Sequence, residues 1–366
     1  MTAMHAVVAG WLLEDRPSGA SRRLLGLLEA ACPHLQEGER LTLLHSPDGS
    51  PPTLPDKIDL RAIDIPAQPT WRRAWRERRH LPAALRSLGA TVFDLSSLPV
   101  PAGLPCPAIL TIHDLRDLTD FRRRPRTISR RILRRSLARA HRLISPSEFT
   151  AKHLRESFKR IAPTVSVIPA GIDEDFFRED PPPLADPPFF LHVGHLEPRK
   201  NLELLLTAFA QFTETHSSRH QLFLAGADHG DSHWLCGHAA DLGISERVSF
   251  LGVVTEQRLR DLYQETSAVL TPSLYEGFGM TPLEALAAGK PTLVSDRGAL
   301  PEVVGEAGVV LPGTQASAWA TALSSLAEGT DRPEDRARRI ARAREFSWQR
   351  AGGELVSLWR EASARG

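Results

Sequence analysis

Short apolar runs alternate along this chain with longer stretches whose apolar residues recur every three or four positions, the pattern of a parallel sheet wrapped by helices. In the first half, runs at His5–Gly10, Leu41–His45, Thr91–Asp94, Ala108–His113, Arg142–Ser145 and Val165–Ile168 predict strands. Leu24, Leu25, Leu27 and Leu28 predict the buried stripe of a helix over Ala20–Ala31. Trp71–Ser87 predicts another, with Trp71, Trp75 and Leu85 turned to the core and arginines on its other faces. A Pro- and acid-rich stretch follows at residues 173–188, where Pro181-Pro182-Pro183 and Pro187-Pro188 can continue neither a helix nor a central strand. A second series then begins, with strands predicted at Phe189–Val193, Gln221–Ala225, Val248–Leu251, Ala268–Leu270, Pro291–Val294 and Val309–Leu311. The expected fold class is α/β, with two doubly wound Rossmann-like domains facing each other across a cleft. Their bounds are 1–172 and 189–346, with 173–188 as linker and 347–366 as a C-terminal helix bearing Leu355, Leu358 and Trp359 on one side.

Composition changes this picture little. A length of 366 residues suits two domains, and 42% hydrophobic and 24% charged residues are ordinary for a soluble protein. Three scattered cysteines, Cys32, Cys106 and Cys236, indicate neither a disulfide framework nor a zinc site. No apolar run approaches the roughly 20 residues of a membrane span, and the start lacks a signal-peptide pattern, so a cytoplasmic location is expected. Charge is informative. The formal total of +1 divides into +11 over residues 1–170 and −10 over 171–366, so the first half is expected to face something anionic.

The chemistry concentrates after the strand at Ala268–Leu270, in Pro272-Ser273-Leu274-Tyr275-Glu276-Gly277-Phe278-Gly279-Met280-Thr281-Pro282-Leu283-Glu284-Ala285. Thr281 as N-cap and Pro282 at the first helical position predict a helix to about Ala288. The amides of Phe278, Gly279 and Met280 would then point out of its N-terminus as an anion site, with Glu276 before them and Glu284 one turn inside. Acids at a helix start can also do no more than complement its dipole. A second loop, Gly194-His195-Leu196-Glu197-Pro198-Arg199-Lys200-Asn201, ends a strand and brings two cations to a helix that Asn201 can cap. That combination suits a diphosphate and equally fits ordinary surface chemistry. In the first half, the strand Ala108–Ile112 runs into His113-Asp114. Asp114 either orients the imidazole or caps the next turn.

These stretches resemble the retaining nucleotide-sugar glycosyltransferases of family four (group 1), which have the GT-B fold. The segment from Glu276 to Glu284 is similar to their Glu-x7-Glu motif, and Ala287–Ser295 and Gly298–Val304 continue it. The resemblance implies Glu276 on the donor sugar, Glu284 on the ribose, His113 near the sugar, and Lys200 on the diphosphate. Many members have Arg directly after the glycine where this chain has His195, so either Arg199 supplies that guanidinium or His195 binds phosphate instead. The first loop, Pro17–Arg23, keeps one glycine, Gly19, of the family's Gly-rich loop, with Arg22 as a candidate contact to phosphate or acceptor. Val248–Thr255 resembles the strand and loop that meet the nucleobase through backbone, bringing in Val253, and Gly226, which ends the preceding strand, is a further candidate lining residue. Ser145–Thr150 and Val167–Asp173 are also family-like, and the resemblance implies that the C-terminal helix crosses back onto the first domain.

The expected activity is retaining transfer of a sugar, of mannose or rhamnose type, from a UDP, GDP, ADP or dTDP sugar to a hydroxyl of a glycan or lipid-linked acceptor. No cofactor is required in this reading, and with no aspartate pair to bind one, no metal. The rivals are another GT-B chemistry, such as a sugar phosphorylase or nucleotide-sugar epimerase, and a non-catalytic binding protein. One further feature stands apart. Phe121–Arg142 holds ten arginines and no acid, with Ile128, Ile132, Leu133 and Leu137 at helical spacing. A solvated helix and an anionic membrane surface contacted through Arg122–Arg142 are the competing readings, the latter making the protein peripheral at the inner membrane face. Nucleic acid is disfavoured because the stretch lacks interleaved aromatic residues.

Overall fold

The computed structural model describes every residue except 1–2, 14–17, 48, 50–52, 119–125, 160–163, 179–182, 330 and 366. The chain divides into two compact units, Met1–Gly171 with Ser347–Gly366, and Ile172–Phe346.

The first unit runs β1 (His5–Ala9), α1 (Gly19–Ala31), β2 (Arg40–His45), β3 (Ile58–Ala62), α2 (Thr70–Leu88), β4 (Val92–Leu95), β5 (Ala108–Thr111), α3 (Arg126–Leu137), β6 (Arg142–Ser145), α4 (Glu148–Ser157) and β7 (Val165–Val167). Its seven strands are all parallel, in the order β3-β2-β1-β4-β5-β6-β7. β1, β4 and β5 are buried throughout, which is why they read as mostly apolar runs, with Asp94 the buried polar exception in β4. β3 escaped the sequence reading because only Ile58 is buried. Asp59 and Arg61 are exposed on this edge strand, where charge discourages pairing with another chain. α1 starts on a capping box in which Ser18 and Ser21 each accept from the other's amide, at 3.2 and 2.7 Å.

The second unit runs β8 (Phe189–Val193), α5 (Leu202–Thr215), β9 (Gln221–Ala225), α6 (Ser232–Asp241), β10 (Val248–Gly252), α7 (Glu256–Glu265), β11 (Ala268–Thr271), α8 (Met280–Ala287), β12 (Thr292–Ser295), α9 (Leu300–Val304), β13 (Val309–Leu311), α10 (Ala316–Ala327) and α11 (Pro333–Arg344). Its six strands are parallel too, in the order β10-β9-β8-β11-β12-β13, so the direction of winding reverses between β8 and β11. The final helix, α12 (Trp348–Ser363), belongs to the first unit. There Leu355, Val356, Leu358 and Trp359 pack with Leu24, Leu27 and Leu28 of α1. Two glycines permit this packing. Trp348 lies against Gly26, where a Cβ would come within 2.7 Å of its ring, and Gly352 lies against the Ala30 backbone, 2.4 Å from where its Cβ would stand. Gly352→Ala is therefore expected to cost about 1–3 kcal/mol and lower Tm. Gly237→Ala, in open space on α6, should instead raise stability by roughly 0.4–1 kcal/mol.

One helix departs from its sequence reading, and a second sorts apolar residues to which the sequence assigned no face. In α2 the inward stripe is Arg73, Glu77, Leu81 and Leu85, while Trp71 and Trp75 are 73% and 57% exposed. Arg73 can lie inside because its guanidinium donates to the carbonyls of Ala67 (3.2 Å) and Leu98 (3.1 Å) and stands 3.6 Å from Glu77. A buried charge with carbonyl and carboxylate partners thus takes the place that apolarity alone assigned to tryptophan. In α3, Leu133 and Leu137 face the core while Ile128 and Ile132 are 57% and 39% exposed. The predicted start of that helix, 121–125, lies outside the described residues.

Candidate active site

The reversal of winding between β8 and β11 leaves a crevice beyond their carboxyl ends, where open parallel sheets bind ligands. Two loops meet there. After β8 the chain passes Gly194 and a single helical turn, Pro198–Lys200, before α5; after β11 it passes Tyr275 and Glu276 before α8. The Leu274 amide donates to the Arg199 carbonyl at 2.8 Å, fixing one loop on the other.

Glu276 is the centre of this crevice. One carboxylate oxygen accepts from Lys200 Nζ at 2.7 Å and the other from Arg199 at 2.8 Å. Arg199 also donates to the Tyr275 carbonyl (3.0 Å) and to Glu197 (2.6 Å). All three central side chains are largely covered, at 10–15% exposure. Burial alone would push the Glu276 carboxyl up, but the charges of Lys200 and Arg199 and the bond from Lys200 outweigh it and hold it at about 2. The two cations are therefore ordered and near-neutralised before any ligand arrives. Beneath them, His192 shares a hydrogen bond with the Leu270 carbonyl (2.8 Å) through Nδ1, and its buried Nε2 has no partner. Burial and then Lys200 lower its pKa to about 4, so the ring is neutral near pH 7.

Glycines shape the walls. Gly226, at φ +153°, ends β9 so close to β8 that a Cβ there would stand 2.0 Å from the Gly194 oxygen. The Gly226 amide donates to Gly252 at the end of β10 (2.8 Å), so the ends of β8, β9 and β10 form a continuous shelf. His195, just past Gly194, stacks on His229 with ring centroids 4.2 Å apart, and its Nδ1 is buried without a partner. Val253 stands beyond the shelf, 79% exposed.

α8 begins two residues earlier than its sequence predicts. Gly279, at φ +131°, is the N-cap, Met280 the first helical residue and Pro282 the third. Thr281 is not the cap: its hydroxyl reaches across to the Val193 carbonyl (3.2 Å) and ties α8 to β8. Asn201 likewise makes no side-chain cap for α5, its amide donating instead to Pro272 (3.2 Å) and Gly313 (2.9 Å). Phe278 packs edge-on against Phe346. Glu284, on α8, is 3% exposed and accepts from the Tyr263 hydroxyl at 2.6 Å. Tyr263 on α7 had no signal in the sequence, since one tyrosine at an apolar helical position reads as core. The second unit therefore gathers Gly194, His195, Arg199, Lys200 and Glu276 around the crevice, with Phe278–Met280 and Glu284 on α8 beside it.

In the first unit, His113 follows β5, half-buried, with its Nε2 buried and unpartnered. Burial, then the charges of Arg23 and Arg116, lower its pKa to about 3, so it is neutral at physiological pH. Asp114 caps the next turn by accepting from the Arg116 amide at 3.0 Å. Arg23 of α1 is buried and donates to the Ile168 carbonyl (2.5 Å), and Asp94 at β4 accepts from the Trp359 indole (2.8 Å). Burial pushes the Asp94 carboxyl up to about 6. Sequence reasoning singled out Arg22 and passed over Arg23, because adjacent arginines carry no mark of which one turns inward. Gly19 is the first residue of α1, behind the Ser18 cap.

Comparison with known proteins gives these features a family. The family model described as "Glycosyl transferases group 1" matches residues 173–346, and that described as "Glycosyltransferase Family 4" matches 18–176. Among curated relatives, the chain is 29% identical over 267 residues to an O-antigen chain mannosyltransferase B of Escherichia coli, covering 69% of this chain and 70% of that one. It is 30% identical over 263 residues to a D-inositol 3-phosphate glycosyltransferase of Nocardia farcinica, covering 66% of this chain but only 58% of the relative. In fold it is similar to Anabaena Alr3699/HepE, solved in complex with UDP and glucose, with a TM-score of 0.70 at 17% identity over 98% of this chain and 100% of that one. The two parallel sheets are those of the GT-B fold, and the matched segments run almost unbroken from residue 18 to residue 346. The chain belongs to the group 1 glycosyltransferases of family four.

Proposed function

We propose that this protein transfers a sugar from a nucleoside-diphosphate sugar to a hydroxyl of a glycan or lipid-linked acceptor, with retention of configuration. The observation that carries the reading is Glu276 held between Lys200 and Arg199 beside the start of α8. An arriving diphosphate competes with that carboxylate for the two cations, freeing Glu276 to turn to the sugar hydroxyls. Lys200, Arg199 and the amides of Phe278–Met280 then meet the charge that grows on the departing diphosphate. The bond from the anomeric carbon to the phosphate oxygen breaks as the bond to the acceptor oxygen forms on the same face. The acceptor's proton goes to the departing phosphate. Glu284 takes the ribose and His113 the donor sugar, as the family motif implies. Val253 and the shelf of Gly194 and Gly226 serve the nucleobase, and His195 is an added phosphate contact. Gly19 and Arg22 are assigned to phosphate or acceptor. The UDP and glucose bound by the Anabaena protein support a nucleotide donor, and the names of the two relatives favour a mannose-type sugar and a glycan or polyol acceptor.

The test is a thermal-shift panel of UDP, GDP, ADP and dTDP on wild type and Glu284→Ala, followed by transfer assays with the matching sugar donors. A nucleotide present at 100 times its Kd should stabilise by about 2.7 kcal/mol, and the variant should lose most of that gain. Transfer is expected to persist in EDTA. Complete loss, restored by Mn or Mg, would overturn metal independence, and turnover that needs inorganic phosphate would move the enzyme to the phosphorylases. No shift with any nucleotide would overturn the donor reading.

A further inference from the structure

α2 is inverted with respect to ordinary amphipathicity. Its single acid, Glu77, is buried beside Arg73, and its outward face presents Trp71 and Trp75 among Arg72, Arg78, Arg79 and Arg86. Arg76 and Arg79 flank the Trp75 ring at 5.9 and 5.8 Å, and Arg76 also pairs with Asp64. α3 repeats the theme. Ile128 and Ile132 lie one turn apart on its exposed side, with Arg131, Arg134 and Arg135 exposed around them and no acid in the helix.

Topology puts the two faces side by side. The inner residues of both helices, Leu81 and Leu85 of α2 and Leu133 and Leu137 of α3, pack in one cluster with Phe93, Leu110 and Leu143 of the sheet, so both helices cover the same side. The connection from β4 to β5 runs between them, accepting from Arg73 at Leu98 (3.1 Å) and from Arg139 at Val100 (2.8 Å). Each helix returns antiparallel to its strands. Trp71, Trp75 and Ile128 therefore lie in amino-terminal halves, nearest the carboxyl ends of the strands, with Ile132 at the middle of α3.

We propose that this two-helix face binds the surface of an anionic lipid bilayer. Indole rings settle at the headgroup level with their apolar bodies inward, isoleucines enter the acyl boundary, and the surrounding guanidinium groups meet lipid phosphates. The charge of the surface selects this occupant. A protein partner would have to match at least six exposed arginines with acids, whereas an anionic membrane does so without specific pairing. Isoleucine separates it from a single-stranded nucleic acid, which needs flat rings to stack on bases. The inference stands on α2 and α3 alone and does not depend on the transfer reaction.

The test is co-sedimentation of the full chain with vesicles of phosphatidylcholine, or of phosphatidylcholine mixed with phosphatidylglycerol, at low and high salt. The protein should pellet with the mixed vesicles only, and salt should release it. Arg131→Gln/Arg134→Gln/Arg135→Gln should weaken binding on the order of a hundredfold. Trp71→Ala/Trp75→Ala should weaken it as well and remove the blue shift in tryptophan emission seen on adding vesicles. Unchanged Tm in both variants, whose replaced side chains are exposed, would show that each still folds. No pelleting with anionic vesicles, or pelleting that neither variant reduces, would overturn the proposal. Tighter Trp71- and Trp75-dependent binding to a single-stranded oligonucleotide than to vesicles would reassign the face to nucleic acid.

Discussion

Glu276→Gln is expected to cut sugar transfer by roughly 10²–10³-fold while leaving nucleoside-diphosphate affinity intact or higher. The two effects separate because Glu276 neutralises Lys200 and Arg199 in the free protein. Glutamine leaves two covered cations without their shared carboxylate, a change that should destabilise the ligand-free protein by about 3 kcal/mol. A bound diphosphate replaces the missing charge, so the variant should gain more in Tm from nucleotide than wild type does. The pH dependence has a definite sign. The folded carboxyl is held at about 2 against 4.5 for a free glutamate, so its contribution to stability is present above pH 4.5 and fades as pH falls toward 2. Melting curves of wild type across that range should carry a limb that the variant lacks. Nucleotide affinity falling in step with activity would mean that Glu276 acts on the diphosphate site and not on the sugar. A variant as stable as wild type would mean that the ion cluster contributes nothing net.

How much of this was legible in the sequence depends on what kind of force decides each element. Strands buried on both faces, such as Val92–Leu95 and Ala268–Thr271, announce themselves because a covered parallel sheet is built mostly of apolar residues, a lone polar group such as Asp94 needing its own partner there. β3 does not, since an edge strand with four exposed residues keeps no apolar signature. Trp71 and Trp75 were misassigned because hydrophobic periodicity knows nothing of the Ala67 and Leu98 carbonyls that accept from Arg73 and make a charge the better occupant of the interior. The same blindness extends to caps. Ser18 was placed in a loop and Thr281 and Asn201 at helix starts, but only coordinates reveal whether a short polar side chain bonds its own helix or a neighbouring strand.

The candidate site divides in the same manner. Residues fixed by local spacing, Glu276 and Glu284 eight apart and Lys200 after its strand, were available as a motif. Their relations were not. That one carboxylate bridges both cations joins residues 76 and 77 positions apart, and no periodicity encodes such a contact. Tyr263 on Glu284, His229 on His195, and Trp359 on Asp94 were likewise silent, each an ordinary core or surface residue until the fold supplies its neighbour.

Gly298→Ala carries this distinction between motif and support into an experiment. Gly298 follows β12 at φ +64°, a conformation that alanine adopts only at a cost of about 1–2 kcal/mol. Its Cβ would also stand 2.6 Å from both the amide nitrogen and the carbonyl oxygen of Glu276, and the Ala299 amide next door donates to that oxygen at 3.0 Å. The atoms it would meet are backbone, which yields little, so the Glu276 loop must move. A shift approaching 1 Å in a positioning group is enough to lower transfer about 10²-fold. The carboxylate itself remains, however, near its two cations. The variant should therefore lose activity while keeping the acid limb of the stability profile that Glu276→Gln removes. Activity unchanged from wild type would show that the loop absorbs the methyl group, and that the position of Glu276 is set by Lys200 and Arg199 rather than by the backbone behind it.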